Sequence, residues 1–158
     1  MVLLTERAWF LIILAREIRS MQPKPVKLDD FPNIPKTTVK KLESLGIKDT
    51  KKLFEFVKTE KSRKELSGKT GISLKEILEL TKLTDVSRIT RVGANFARVL
   101  VDSSCDTVKK VVKADYKKLY EEINKINDAK KYYKGKIGFE NLKRDLLAAK
   151  LVPDAIKY

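Results

Sequence analysis

The stretch Arg88-Ile-Thr-Arg-Val-Gly-Ala-Asn-Phe-Ala-Arg-Val-Leu100 decides how the chain is read. Its apolar residues Ile89, Val92, Phe96, Val99 and Leu100 suit a bend followed by a helix, and Gly93 stands where a tight turn hands over to that helix. The chain uses 27 Lys and 8 Arg, yet Arg88, Arg91 and Arg98 all fall here, and no Asp or Glu occurs from Val86 to Val101. Arginine suits bidentate contact with phosphate. A helix opened by Gly93 and Ala94 points its first N–H groups outward beside the positive end of its dipole, which makes an anion site. On that helix Asn95 and Arg98 share one face, while Phe96, Val99 and Leu100 turn to the other.

Moving outward, the second half of the chain repeats the first at a shift of 58 residues. Phe31 lies over Ile89, Ile34 over Val92, Val39 over Ala97 and Leu42 over Leu100; Lys51-Lys-Leu53 lies over Lys109-Lys-Val111. Identity is low and the apolar spacing carries the match. Each copy reads as turn, helix, turn, helix, so the expected fold is all-α with a pseudo-twofold relation between two units. Cys105 falls where Ile47 does, which makes it a small core side chain.

The remaining helices follow from local signals. Val39, Leu42 and Leu45 recur at helical spacing, with Gly46 closing the turn. A helix follows Asp49, and a short charged one spans Thr59 to Leu66. Ser73 and Glu76 have capping-box spacing before a helix to about Leu83. Asp115 caps a helix to Asn127, and another runs from about Glu140 to Lys150 before Pro153. The basic loop Lys130–Gly138 carries two tyrosines, read as a solvated connector whose rings lean on the core, with backbone tracking by tyrosine stacking as the functional alternative.

Residues 2–19 read as a helix with an apolar patch far short of the ~20 residues that cross a membrane. It is read as packed on the body or used in oligomerisation; a membrane-surface helix, or an upstream start with Met21 as the true one, are the other readings. The Pro-rich Gln22–Pro25 links it to the rest. The domain division is thus 1–27, then 28–158, with units at about 28–83 and 84–127 and a C-terminal extension at 128–158.

The formal charge of +14 favours a polyanionic partner. The excess is concentrated after residue 30, where 30 basic face 17 acidic residues. One cysteine excludes an internal disulfide and fits a reducing, cytoplasmic setting. With no histidine, zinc sites of the Cys/His type and His-based catalysis are excluded, and no cofactor motif is present. No recognisable carboxylate pair or nucleotide loop suggests an enzyme.

At its paired turn-plus-helix units the chain resembles the helix-hairpin-helix family, whose turn reads apolar–Gly–apolar–Gly; here Ile89-Thr-Arg-Val-Gly-Ala-Asn-Phe-Ala carries it. From about Leu28 to Pro153 it resembles the tandem helix-hairpin-helix family known as domain of unknown function 4332, through Gly46-Ile47, Lys69-Thr-Gly-Ile-Ser73, Asp106-Thr-Val108 and Lys118-Leu-Tyr120. The resemblance implies an all-α fold and a DNA-binding-like surface. The chain departs from the pattern: Arg91 replaces the first glycine of unit two, and Asn33 and Pro35 replace both in unit one. Pro35 offers no N–H to a phosphate. The expected function is therefore sequence-independent binding of duplex DNA through unit two, with contacts from Arg88, Arg91, Val92, Gly93, Ala94, Asn95 and Arg98 and diffuse support from Lys36, Lys40 and Lys41. RNA is a possible partner on the same chemistry. The alternative is a protein-interaction module of the same fold, which gains if Arg91 or Arg98 pairs internally with Asp85 or Asp102.

Overall fold

A computed structural model describes residues 6–20 and 24–158; the first residues of the helix read over 2–19, the notional start at Met21 and half of the Pro-rich linker lie outside the described residues. Among the described residues the chain is helical and forms no strand. A single antiparallel bridge joins Lys27 to Asp49. Helix α1 spans Glu6–Ser20. It buries Leu14 in the core and leaves Phe10, Leu11 and Ile12 exposed.

After a 3-10 turn at Leu28–Asp30 come α2 (Lys36–Glu43), α3 (Thr50–Phe54), α4 (Glu60–Thr70) and α5 (Leu74–Ser87). Then come α6 (Ala94–Asp102), α7 (Val108–Val112), α8 (Tyr116–Lys130) and α9 (Phe139–Ala149). Each set of four begins with two short helices and ends with two longer ones. The 58-residue shift holds in the backbone over the first two helices of each set: Pro35 and Gly93 precede α2 and α6, and Asp49 and Thr107 cap α3 and α7. Asp49 accepts from Lys52 N–H and Thr107 from Lys110 N–H, the same bond one repeat apart. Packing repeats as well. α3 and α4 pack on α5, and α7 and α8 pack on α9. α9 therefore takes the place in the second run that α5 takes in the first, so the repeated pattern passes residue 127 into the stretch expected to be an extension.

The core follows from the same spacing. Phe31, Val39, Leu42, Ile47 and Leu53 are buried in the first run, and Ile89, Ala97, Leu100, Cys105 and Val111 at the shifted positions. Burial raises the Cys105 thiol pKa above its ordinary value, which suits a core residue and not a reactive one. α5 runs four residues past the expected end at Leu83, so the boundary drawn at 83/84 falls inside a continuous helix. Its final turn opens the second run: Arg88 N–H bonds Asp85 C=O and Ile89 N–H bonds Val86 C=O, as Asp30 and Phe31 bond Lys27 and Leu28.

That double duty requires a substitute bond. In the first run Thr50 N–H, at the start of α3, bonds the extended Val26 carbonyl at 2.9 Å. In the second run the matching stretch is helical. The Asp85 carboxylate reaches Val108 N–H at 3.1 Å instead. Asp85 is 3% exposed and also accepts from Tyr158 O–H at 2.9 Å and Arg88 Nη2 at 2.6 Å. The chain end is pinned beside it, because buried Arg63 donates to the Val57 and Lys157 carbonyls and Lys157 N–H bonds Lys58 C=O.

Breaking a buried ion pair by removing one partner costs about 3–5 kcal/mol. We expect Asp85→Ala to lower urea-unfolding stability by about that amount, against about 1 kcal/mol for Tyr158→Phe, which loses one hydrogen bond. Equal small losses in both variants would contradict the role given to Asp85.

Candidate functional site

The bend that opens α6 is built differently from its sequence reading. Its left-handed residue is Arg91, with φ 72°, and the matching residue of the first run is Asn33, with φ 63°. Gly93 sits at φ −87° and ψ −174°, an extended conformation open to any residue, and a Cβ there would meet no atom within 4 Å. The fold therefore does not demand glycine at position 93. Left-handed backbone costs a non-glycine residue about 1–2 kcal/mol, which Asn tolerates better than Arg.

Helix α6 starts without a side-chain cap and without an acid in its first turn. Its start lies in a groove of about 410 Å³ lined by Lys24, Pro25, Thr90, Arg91, Gly93 and Ala94 among others. Arg91, Gly93 and Asn95 are exposed, Ala94 is half-buried and Val92 is buried, so Val92 contributes backbone alone. Lys24 stands on the groove although the sequence reading did not select it, because it precedes the repeat; its place beside Pro25 was the available signal. Asp30 also lines the groove and brings a negative charge. Lys36, Lys40 and Lys41 are exposed on α2, whose start at Pro35 has no N–H to offer.

The other two arginines turn away. Arg88 donates through Nη1 to the Pro153 carbonyl at 2.9 Å and through Nη2 to Asp85, with its guanidinium 5.1 Å from the Phe54 ring centroid. Arg98 is 6% exposed. Its guanidinium is closed by Asp102 on its own helix and Glu79 on α5. Burial opposes its charge, but the bonds to Asp102 and Glu79 outweigh that and hold its pKa above the ordinary value. The expectation that Asn95 and Arg98 share one open face is thus corrected. Position 98 faces α5, and two carboxylates there take the whole guanidinium fork.

A hydrogen-bond chain extends from this pair across the runs. Tyr132 O–H donates to Asp102 at 2.8 Å and accepts from Asn33 Nδ2 at 2.8 Å. Tyr133 meets the Phe96 ring edge-on at 6.2 Å between centroids. Both tyrosines are half-buried, as a connector leaning on the core requires. Asp145 on α9 is 8% exposed; its buried Oδ1 makes no hydrogen bond and lies 3.9 Å from Arg144 Nε. Burial raises its pKa from 3.8 to about 6, against the opposing pull of Arg144 and Arg91.

Among the described residues no helix is long and apolar enough to cross a membrane. The family model described as Domain of unknown function (DUF4332) matches residues 32–144, so the chain belongs to that family. Among curated proteins and among solved structures, nothing matches the chain.

Arg98→Ala should unfold at markedly lower urea, a loss of about 3–5 kcal/mol from two stranded carboxylates, whereas Lys40→Ala on the exposed side of α2 should stay within about 1 kcal/mol of the parent. A pH series tests the buried acid. Because the folded-state pKa of Asp145 is raised, its favourable contribution is complete below pH 3.8 and disappears as pH rises through about 6. At pH 7.5 Asp145→Asn should therefore be more stable than the parent, by on the order of 3 kcal/mol at 1.36 kcal/mol per pKa unit. That advantage should shrink as pH falls to 5; a difference independent of pH would refute it.

Proposed function

We propose that this member of the family binds duplex nucleic acid, DNA in the first instance, through backbone phosphates at the start of α6 and without reading base sequence. The two runs are read here as tandem helix-hairpin-helix units, of which the second carries the contact. The observation that supports this most is the uncapped, acid-free N-terminus of α6 in a groove that also presents Arg91 and Lys24. Main-chain N–H groups at a helix start, with the positive end of the dipole behind them, favour an anion. The fold leaves open space over Gly93, so the absence of a side chain there suits the close approach of a phosphate. Asn95 and the α2 lysines Lys36, Lys40 and Lys41 add exposed donors of the same kind, and such contacts fix position on a duplex without specifying bases.

Internal pairing of Arg88 and Arg98 reduces the number of phosphates expected to be neutralised. About three remain, for which log K should fall against log salt with a slope near −2.7. The same pairing is the specific observation behind a second reading, a protein-interaction module without nucleic-acid binding.

Fluorescence anisotropy with a short random duplex across a salt series decides between them. The parent should bind with the slope given above, Lys24→Glu/Arg91→Glu should lose at least tenfold in affinity and flatten the slope, and Gly93→Ala should weaken binding without loss of stability. A parent protein that fails to bind at low salt removes the proposal. Equal binding of single-stranded RNA would move the partner from DNA to RNA.

A further inference from the structure

A second surface shares no lining residue with the α6 groove. Between α4, α5, the start of α7 and the chain end lies a groove of about 640 Å³, lined by Leu74, Leu78, Lys64, Lys82, Lys109 and Lys110 among others. Its volume falls in the range of binding clefts, ~300–1,000 Å³. Leu74 is 46% and Leu78 37% exposed, and the two stand one turn apart on α5. Residues at this spacing lie side by side on a helix and make a continuous apolar strip. The core does not need them, since Ile77, Leu80 and Leu83 already fill α5's buried side.

Cations outnumber acids in the lining, with Lys64, Lys82, Lys109, Lys110 and Arg63 against Glu60. Its four lysines are paired as Lys64–Glu60, Lys82–Asp106, Lys110–Asp106 and Lys109–Asp154. Lys64–Glu60 and Lys109–Asp154 are exposed on both sides, at 58%/70% and 62%/63%, and such pairs hold weakly, at about 0–1 kcal/mol, so they can exchange partners; Lys110 is 56% exposed but its Asp106 is only 14% exposed and shared with Lys82. The surrounding field is that of a chain with charge +14.

We propose that this groove docks an acidic amphipathic helix of a protein partner, whose apolar side chains seat on Leu74 and Leu78 while its carboxylates meet the lysine rim. Charge decides the occupant. A second copy's helix with exposed Phe10, Leu11 and Ile12 carries Arg7, Arg16 and Arg19 against Glu6 and Glu17 in its sequence, so it brings no acidic excess to the lysines. A nucleic-acid backbone would satisfy the lysines and leave the leucine strip unmatched. An apolar face laid into a groove, with acids outside it, satisfies both.

The probe is a fluorescein-labelled synthetic peptide of about 16 residues, leucine at helical i, i+4, i+7 spacing and glutamate elsewhere. One control replaces its glutamates by lysine and the other replaces its leucines by glutamine. The acidic leucine peptide should bind at least tenfold more tightly than either control. Leu74→Ser/Leu78→Ser and Lys109→Glu/Lys110→Glu, each shown by circular dichroism to keep the parent helicity, should each lose at least tenfold. Anisotropy with duplex DNA should be unchanged in the leucine variant, so this proposal and the phosphate reading fail separately. Equal binding of the leucine-free peptide, or an unaffected leucine variant, would overturn docking. So would self-association in sedimentation that the leucine substitutions abolish, which would assign the groove to a second copy.

Discussion

A single buried carboxylate holds together parts of the chain that share no sequence neighbourhood. Asp85 accepts from the first N–H of α7, from the C-terminal tyrosine and from Arg88. Burying a lone carboxylate is costly, and the guanidinium with two further donors offsets that cost. The same arrangement commits Arg88 to the interior. Its other nitrogen goes to Pro153 C=O, so the tail that closes the fold also removes one arginine from the surface.

The arginine-rich stretch therefore divides its labour. Arg88 and Arg98 are structural cations, each held by carboxylates, while Arg91 stands at the bend in a left-handed conformation. Arg98 sits in a chain of bonded groups running from Glu79 through Asp102 and Tyr132 to Asn33. The two left-handed bend residues are thus linked to one scaffold in different ways: Asn33 by a direct bond, Arg91 through the charge of Asp145.

Most of the helical architecture was legible in the residues, because apolar spacing and caps are local signals. Asp49, Ser73 and Asp115 cap where they were expected to, and Gly46 takes the left-handed turn after α2. The 58-residue repeat was visible for the same reason. α5 was read four residues short, since Asp85 and Ser87 interrupt the apolar pattern; only tertiary contacts show that both are buried. The direction of Arg98 was also beyond the sequence. Helical position places an arginine on a side of the helix, but a long side chain beside the apolar stripe can reach across it, and the Glu79 that draws it in lies nineteen residues away. Gly93 stands at the hand-over from turn to helix as read, but the left-handed residue of that turn is Arg91, which the sequence did not mark because glycine is the usual sign of such backbone and arginine is not.

The helix that belongs to both runs also works as a ruler. α5 carries the leucine strip at its beginning and leads into the arginine bend at its end. Its 14 residues, at 1.5 Å each, span about 21 Å. A helix packed by α3, α4 and α6 resists bending. Whatever rests at one end is held at a set distance from whatever rests at the other, a spacing of roughly six base-pair steps along a duplex at 3.4 Å per step. A change in the length of α5 would alter that separation by 1.5 Å and rotate the two surfaces by about 100° for each residue added, since 3.6 residues complete a turn.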